Sequence, residues 1–147
     1  MEHFSQFHGS GTTDISEGVE ERLGRQRRYL GTGKRRCELV IEEAALYDRT
    51  YGSEVMREQL AHLLTGPYPP GTSLGIIPRG SSRAYHPAET FTLYEDTVVI
   101  ETVSAIITVT QPREIALYAR CFGDLARAAV SGRAARELVS HALEALD

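Results

Sequence analysis

The pattern of apolar and polar residues predicts an alternation of short strands and amphipathic helices. Residues 37–46 combine apolar and β-branched side chains and are predicted to form a strand. A helix capped by Ser53 is predicted next, because its apolar residues recur at helical spacing. These residues are Met56, Leu60, Leu63 and Leu64. The proline-rich loop at 66–71 then ends the helix, since proline cannot continue it.

More strands are predicted in the middle of the chain, at 73–77, 90–94 and 97–103, with a further short strand at 105–109. Only Glu95-Asp96 separates the segments 90–94 and 97–103, which predicts a tight antiparallel hairpin. A bend at Ser104 is predicted to precede the last strand. This region is therefore expected to supply antiparallel strands.

Two helices are predicted at the carboxyl end of the chain. Pro112 suits the first turn of one helix, and Ser131-Gly132 separates it from a final helix that reaches residue 146. Helical spacing predicts that each helix has one apolar face. The first face consists of Ile115, Tyr118, Phe122, Leu125, Ala126 and Ala129. The second consists of Ala135, Leu138, Val139, Ala142 and Leu146.

One more amphipathic helix, capped by Ser16, is predicted to run to about Leu30. Residues 1–15, which are rich in glycine, serine, threonine and histidine, are predicted to be a flexible arm. Residues 16–147 then form a single α+β domain. We expect a mixed, mostly antiparallel sheet packed by helices, with two carboxy-terminal helices.

Composition narrows the classes of function. The net charge of −4 argues against broad nucleic-acid binding, which requires clustered cations. Basic residues do cluster between Arg22 and Arg36, and they are either a polyanion site or the solvated end of a helix. Two distant cysteines, Cys37 and Cys121, are expected to be reduced. With neither a signal-peptide pattern nor a long apolar run, the protein is expected to be cytoplasmic.

Two carboxylates interrupt otherwise apolar strand rows. Glu43 follows Leu39 and Ile41 on one row, and Glu101 follows Val99 on another. If both rows face one cavity, partial desolvation raises the pKa of one acid and makes it a general acid or base. The alternative is that these faces are half-exposed or that each acid pairs with an arginine.

His86 lies in a loop before the predicted hairpin, where it serves as a functional group or fixes the loop. The histidine spacing predicts no metal site, and no cofactor is expected. Tyrosines in the loops around the sheet offer apolar rings with polar tips, which suit a small-molecule pocket. The candidate ligand-binding residues are Tyr47, Tyr51, Arg57, Tyr85, His86 and Tyr94.

Several short motifs carry a resemblance to a known family. They are EEAAL at 42–46, EVMREQL at 54–60, HLL at 62–64, IIP at 76–78 and the His86-Pro87 pair before a strand. In their order and spacing they resemble the carboxy-terminal sensor-like domain of actinobacterial XRE-type helix-turn-helix regulators of the toxin–antitoxin type. Members of that family carry a DNA-binding domain ahead of this one. Since only 38 residues precede Leu39, we expect that domain to be missing here.

The resemblance implies a sensor fold without a defined catalytic motif. One hypothesis is a stand-alone module that binds a small-molecule ligand or a small partner protein, or that forms a homodimer, without binding DNA or a membrane. Another is a cofactor-independent acid–base enzyme of secondary metabolism, a cyclase, isomerase or hydrolase, with Glu43, Glu101 and His86 as catalytic candidates. A third is a purely structural oligomerisation unit. The residues alone leave the choice between enzyme and binding module open.

Overall fold

The computed structural model describes Glu20, Gly24, residues 36–66 and residues 68–146. The predicted arm 1–15 lies outside these residues, as does the predicted helix 16–30 apart from Glu20 and Gly24, which are helical. The chain divides into two compact units, Met1–Leu39 with Pro67–Ser73 and Val40–Gly66 with Leu74–Asp147. In the first unit, the backbone N–H of Cys37 donates to the carbonyl of Gly71 at 2.9 Å.

The described elements comprise five strands, three α-helices and one 3-10 helix. The strands are β1 (Cys37–Glu42), β2 (Thr72–Ile77), β3 (Phe91–Leu93), β4 (Val98–Glu101) and β5 (Ile106–Val109). The α-helices are α1 (Ser53–Thr65), α2 (Pro112–Ala128) and α3 (Gly132–Glu144), and the 3-10 helix spans Glu43–Tyr47. The predicted α+β class and the two carboxy-terminal helices are confirmed.

The strand predicted for residues 37–46 is too long. β1 ends at Glu42, and the 3-10 helix Glu43–Tyr47 takes the place of its second half. Alanine favours helical over extended backbone, and this segment contains Ala44 and Ala45. The short helix also buries Leu46, of which only 2% is exposed. Glu43 therefore does not belong to a strand row.

Helix α1 begins at Ser53, so the residue at its cap position is Gly52 and the predicted cap at Ser53 is wrong by one position. Gly52 has φ +92°, a left-handed conformation that glycine adopts without strain. The predicted apolar stripe is confirmed, because Leu60 is fully buried and Met56, Leu63 and Leu64 are partly buried against the same cluster.

The largest buried cluster joins α1, α3, the 3-10 helix and β2. Its fully or nearly fully buried members are Leu46, Leu60, Ile76, Ala135, Val139 and Ala142. Backbone hydrogen bonds of 2.9 and 2.8 Å between Ile76 and Val130 tie β2 to the connection between α2 and α3. Since Ala135, Val139 and Ala142 belong to this cluster, the inward face predicted for α3 is confirmed.

Strands β3, β4 and β5 form an antiparallel sheet in that order. The predicted tight hairpin between β3 and β4 is confirmed, and the Tyr94 N–H donates to the Thr97 carbonyl at 2.8 Å. β4 is shorter than predicted because the Thr102 N–H donates to the Ala105 carbonyl at 2.9 Å. The Thr102 hydroxyl also donates to the Ala105 carbonyl and accepts from the Ala105 N–H. These contacts form the turn into β5.

Helix α2 packs its predicted apolar face inwards, and all six residues predicted for that face are buried or half-buried. Its Tyr118 ring meets the Phe91 ring of β3 edge to face, with 4.9 Å between centroids. Cys37 and Cys121 are free thiols, and burial raises the pKa of both. Within the described ranges, we find no helix that is long and apolar enough to cross a membrane.

Candidate functional site

The cleft of interest lies at the carboxyl ends of β1 and β2. These strands pair in a two-stranded sheet and are the parallel pair of an otherwise antiparallel set. Ligands commonly bind outside the carboxyl ends of parallel strands, where the following loops converge. Here the cleft has a volume of about 290 Å³ and opens to solvent. Its lining residues are Glu42, Glu43, Ala44, Ile77, Pro78, Arg79, Gly80, Ser81, Arg83 and His86.

A tight turn after β2 forms one wall of the cleft. The Ser81 N–H donates to the Pro78 carbonyl at 3.2 Å, which closes a four-residue turn. Gly80 occupies its third position with φ +76°, a value that glycine adopts without a steric penalty. Pro-Arg-Gly therefore fits this turn through its local chemistry alone.

Two contacts hold the turn against the 3-10 helix. The backbone N–H of Arg79 donates to the Glu43 carboxylate at 2.6 Å. The Arg79 guanidinium carbon lies 4.1 Å from the centroid of the Tyr47 ring, within the range of a cation–π interaction. These contacts hold both the backbone and the side chain of Arg79 in place.

Glu42 is the centre of a second group of charges. Its carboxylate accepts a hydrogen bond from the Arg83 guanidinium, and the same oxygen lies 3.8 Å from His86 Nδ1. The exposed fractions of the side chains are 20% for Arg83, 38% for Glu42 and 67% for His86. Arg83 is therefore largely buried, whereas His86 is open to a molecule that enters the cleft.

The cleft brings together two carboxylates and two guanidinium groups, so its fixed charges balance. A proton on His86 adds one positive charge. Such an arrangement can bind a polar ligand through charge-assisted hydrogen bonds to either sign of charge. It can also place an acid and a base on opposite sides of a bound molecule.

The far end of the loop after the turn is attached to α2. The Tyr118 hydroxyl donates to the Glu89 carboxylate at 3.0 Å, and Phe91 begins β3 two residues later. Burial raises the pKa of Tyr118, and the hydrogen bond to Glu89 raises it further. Contacts to Glu43, Glu42 and Tyr118 thus restrain the segment 78–90 at three places.

Titration of the phenols tests the Tyr118 contact. We expect the difference in phenolate absorbance between the wild type and Tyr118→Phe to report a pKa above the ordinary value of about 10. Glu89→Gln should lower that pKa, but burial should keep it above the ordinary value. Because the folded pKa is raised, the tyrosine stabilises the fold below the unfolded pKa and this stability is lost as pH rises through the folded value. A Tyr118 that titrates at its ordinary pKa would contradict the contact.

Three residues predicted from the sequence lie in or beside the cleft. Glu43 and His86 line it, and Tyr47 supports Arg79 in its wall. Glu101 is not among the lining residues. It is exposed at the end of β4, whose buried residues are Val98 and Ile100. Glu101 and Glu43 therefore do not line the same cleft, and the condition for a desolvated pair of acids is not met there.

The other predicted ligand-binding residues do not line the cleft either. Tyr51 and Tyr85 are exposed, at 54% and 52%. Arg57 is half-buried on α1, and Tyr94 is half-buried in the turn after β3. Their roles in binding stay predictions.

Sequence reasoning missed Glu42, Arg79 and Arg83. A turn signal was present, since Pro-Arg-Gly directly follows the predicted strand 73–77. Arg83 stands three residues before His86, which could have drawn attention to the loop. Nothing local indicates that Glu42 and Arg83, 41 residues apart, form an ion pair.

In the described part of the chain, no group of three or more histidine, cysteine, aspartate or glutamate side chains is placed to hold a metal ion.

A family described as "Domain of unknown function (DUF5753)" matches residues 2–141. No curated protein and no solved structure matches the chain. The family match covers nearly the whole sequence, including all ten residues that line the cleft. The chain therefore belongs to the DUF5753 family.

Proposed function

We propose that this chain is a binding module whose small-molecule site is the cleft between Glu42, Arg79 and His86. The observation that carries the proposal is the convergence of five ionisable side chains at the carboxyl ends of the parallel strands. Three of them, Arg79, Arg83 and His86, come from the loop after β2. The other two, Glu42 and Glu43, come from the end of β1 and the residue that follows it. Pockets that bind small molecules are lined mainly by apolar side chains with a few convergent polar groups. Here Ile77 and Pro78 supply apolar walls, and charged side chains make up a larger share of the lining.

The site has features of a preformed binding surface. Arg79 is held through its backbone by Glu43 and through its side chain by Tyr47, so little conformational entropy remains to be lost there on binding. His86, with 67% of its side chain exposed, is accessible to a ligand. These properties favour a small polar molecule over an apolar one.

The biological setting of the proposal comes from the resemblance of the EEAAL, EVMREQL, HLL and IIP motifs to the sensor domains of actinobacterial XRE-type regulators. We infer that the module keeps a sensor role in the cytoplasm. It reports its ligand to a partner and does not bind DNA through this domain. The net charge of −4 supports the last point.

Native mass spectrometry tests the proposal. Spectra of the full chain are recorded before and after incubation with an extract of the organism that encodes it. We expect a retained molecule of unchanged mass, present on the wild type and lost from Arg83→Gln. Arg133→Gln is the matched control, because Arg133 is 90% exposed on α3 and its partner there is Glu137. Retention that is equal in all three proteins would place the binding elsewhere and contradict the proposal.

Acid–base catalysis is the second candidate, because Glu43 and His86 line the same cleft. The same experiment separates the two functions, since an enzyme would release a product whose mass differs from that of any molecule in the extract. Its formation should then stop in Glu43→Gln. If Glu43→Gln retains full turnover, the catalytic assignment of Glu43 is wrong.

A further inference from the structure

Strand β5 forms the outer edge of the antiparallel sheet. Among the described residues its only neighbour in the sheet is β4, because the strand order is β3-β4-β5. The outward-pointing backbone N–H and C=O groups of an edge strand can pair with another strand. Most edge strands carry charges or prolines that discourage such pairing. Here Ile106–Val109 carries neither.

Apolar side chains are exposed on both sides of β5. The register places Ile107 opposite Ile100 and Val109 opposite Val98, so these two side chains lie on the side of the sheet that holds its buried residues. Ile107 is nevertheless 46% exposed. On the other side, Ile106 is 67% exposed. Among the described residues, the sheet thus ends at β5 while apolar side chains on this edge are still exposed.

The charge pattern indicates what kind of strand fits this edge. No charged residue lies between Glu101 and Arg113, although the whole chain carries a net charge of −4. A partner strand with charged side chains would have to desolvate them against isoleucine and valine without an opposite charge to meet. A second copy of β5 brings an equally uncharged strand.

We propose that β5 pairs antiparallel with β5 of a second copy, about a two-fold axis perpendicular to the sheet. In this arrangement the two sheets join edge to edge, and the side that holds the buried residues is the same in both copies. Ile107 and Val109 of one copy therefore lie on the same side of the joined sheet as Ile107 and Val109 of the other. Residues that face each other across the pair then add apolar contacts, and Ile107 loses its exposure. The inference is independent of the cleft, because none of the cleft residues lies on β5.

The contact is small, so the dimer is expected to be weak. A standard stable interface buries about 800 Å² per partner, more than a four-residue strand provides. We therefore expect a dissociation constant on the order of 10–100 µM and rapid exchange between monomer and dimer.

Sedimentation velocity of the full chain over about a hundredfold range of concentration, centred on this constant, tests the proposal. We expect a concentration-dependent shift from monomer to dimer. Amide hydrogen exchange at residues 106–109 should slow as the dimer forms, since pairing protects the outward N–H groups. A monomer at every concentration would overturn the proposal, and so would a dimer that leaves exchange at 106–109 unchanged.

Lysine substitutions locate the contact. Ile107→Lys and Ile106→Lys are each expected to weaken dimerisation at least about tenfold, because both copies then carry a charge into the same edge. Val55→Lys on α1 is the matched control, since Val55 is also 54% exposed, and it should leave the dimer unchanged. If Ile107→Lys does not fold, the more exposed Ile106 decides the question. Dimers of wild-type strength in the folded variants would refute pairing through β5.

Discussion

Replacing Leu60 by alanine is expected to lower the free energy of unfolding by about 2–5 kcal/mol, which is a large part of the stability of a domain of this size. Leu60 is 0% exposed and lies on α1, where its cluster includes Leu46 and Val139. The substitution removes apolar contacts and leaves a cavity between helices that are already packed together. Urea unfolding followed by circular dichroism measures the change.

Val55 provides the control on the same helix. It is 54% exposed, and alanine is a better helix former than valine, so Val55→Ala should leave stability unchanged or raise it by a few tenths of a kcal/mol. A loss of less than about 1 kcal/mol in Leu60→Ala would mean that Leu60 is not in a packed interior. An equal loss in both variants would mean that the burial of Leu60 does not determine the result.

Periodicity was sufficient to predict the helices. The apolar residues of α2 and α3 recur at helical spacing, and Pro112 and Gly132 stand where those helices begin. It was not sufficient at 43–47, where a short apolar run suits either a strand or a helix. The outcome there depends on Leu46 entering a core formed by α1 and α3, which are distant in sequence. Such tertiary packing is invisible to a local pattern.

The site was predicted in part, but the reason for selecting Glu43 was wrong. Glu43 was selected because it interrupted a strand row, but it lies in a 3-10 helix and holds the backbone of Arg79. His86 was selected from its position in a loop, and it does line the cleft. The pairing of Glu42 with Arg83 depends on β1 lying beside β2. Strand order was not available from the sequence, so neither residue could be assigned.

Glu101 shows what the alternation of side chains along a strand cannot predict. The pattern 98–101 correctly separates two sides of β4, but it does not tell which side is covered. Because Val98 and Ile100 are buried, the row that contains Glu101 faces outwards. The acidic residue in this otherwise apolar row therefore lies at an exposed position.

Glu42→Gln is expected to weaken binding of the molecule retained from the extract by at least about tenfold. Glutamine keeps the size of the side chain but loses the charge that both Arg83 and His86 face. The Arg83 side chain, only 20% exposed, is then left without its anion and will either turn away or compete for the ligand. Titration by native mass spectrometry gives the ratio of the dissociation constants.

Glu38→Gln is the control for charge, because Glu38 also lies on β1 but is exposed, and it should bind as the wild type does. The double variant Glu42→Gln/Arg83→Gln separates two roles of the pair. If the ion pair only holds the loop in place, the two losses are not additive and the double variant binds no worse than either single variant. If each group contacts the ligand, the losses add. Binding of wild-type strength in Glu42→Gln would show that the ligand does not use this end of the cleft.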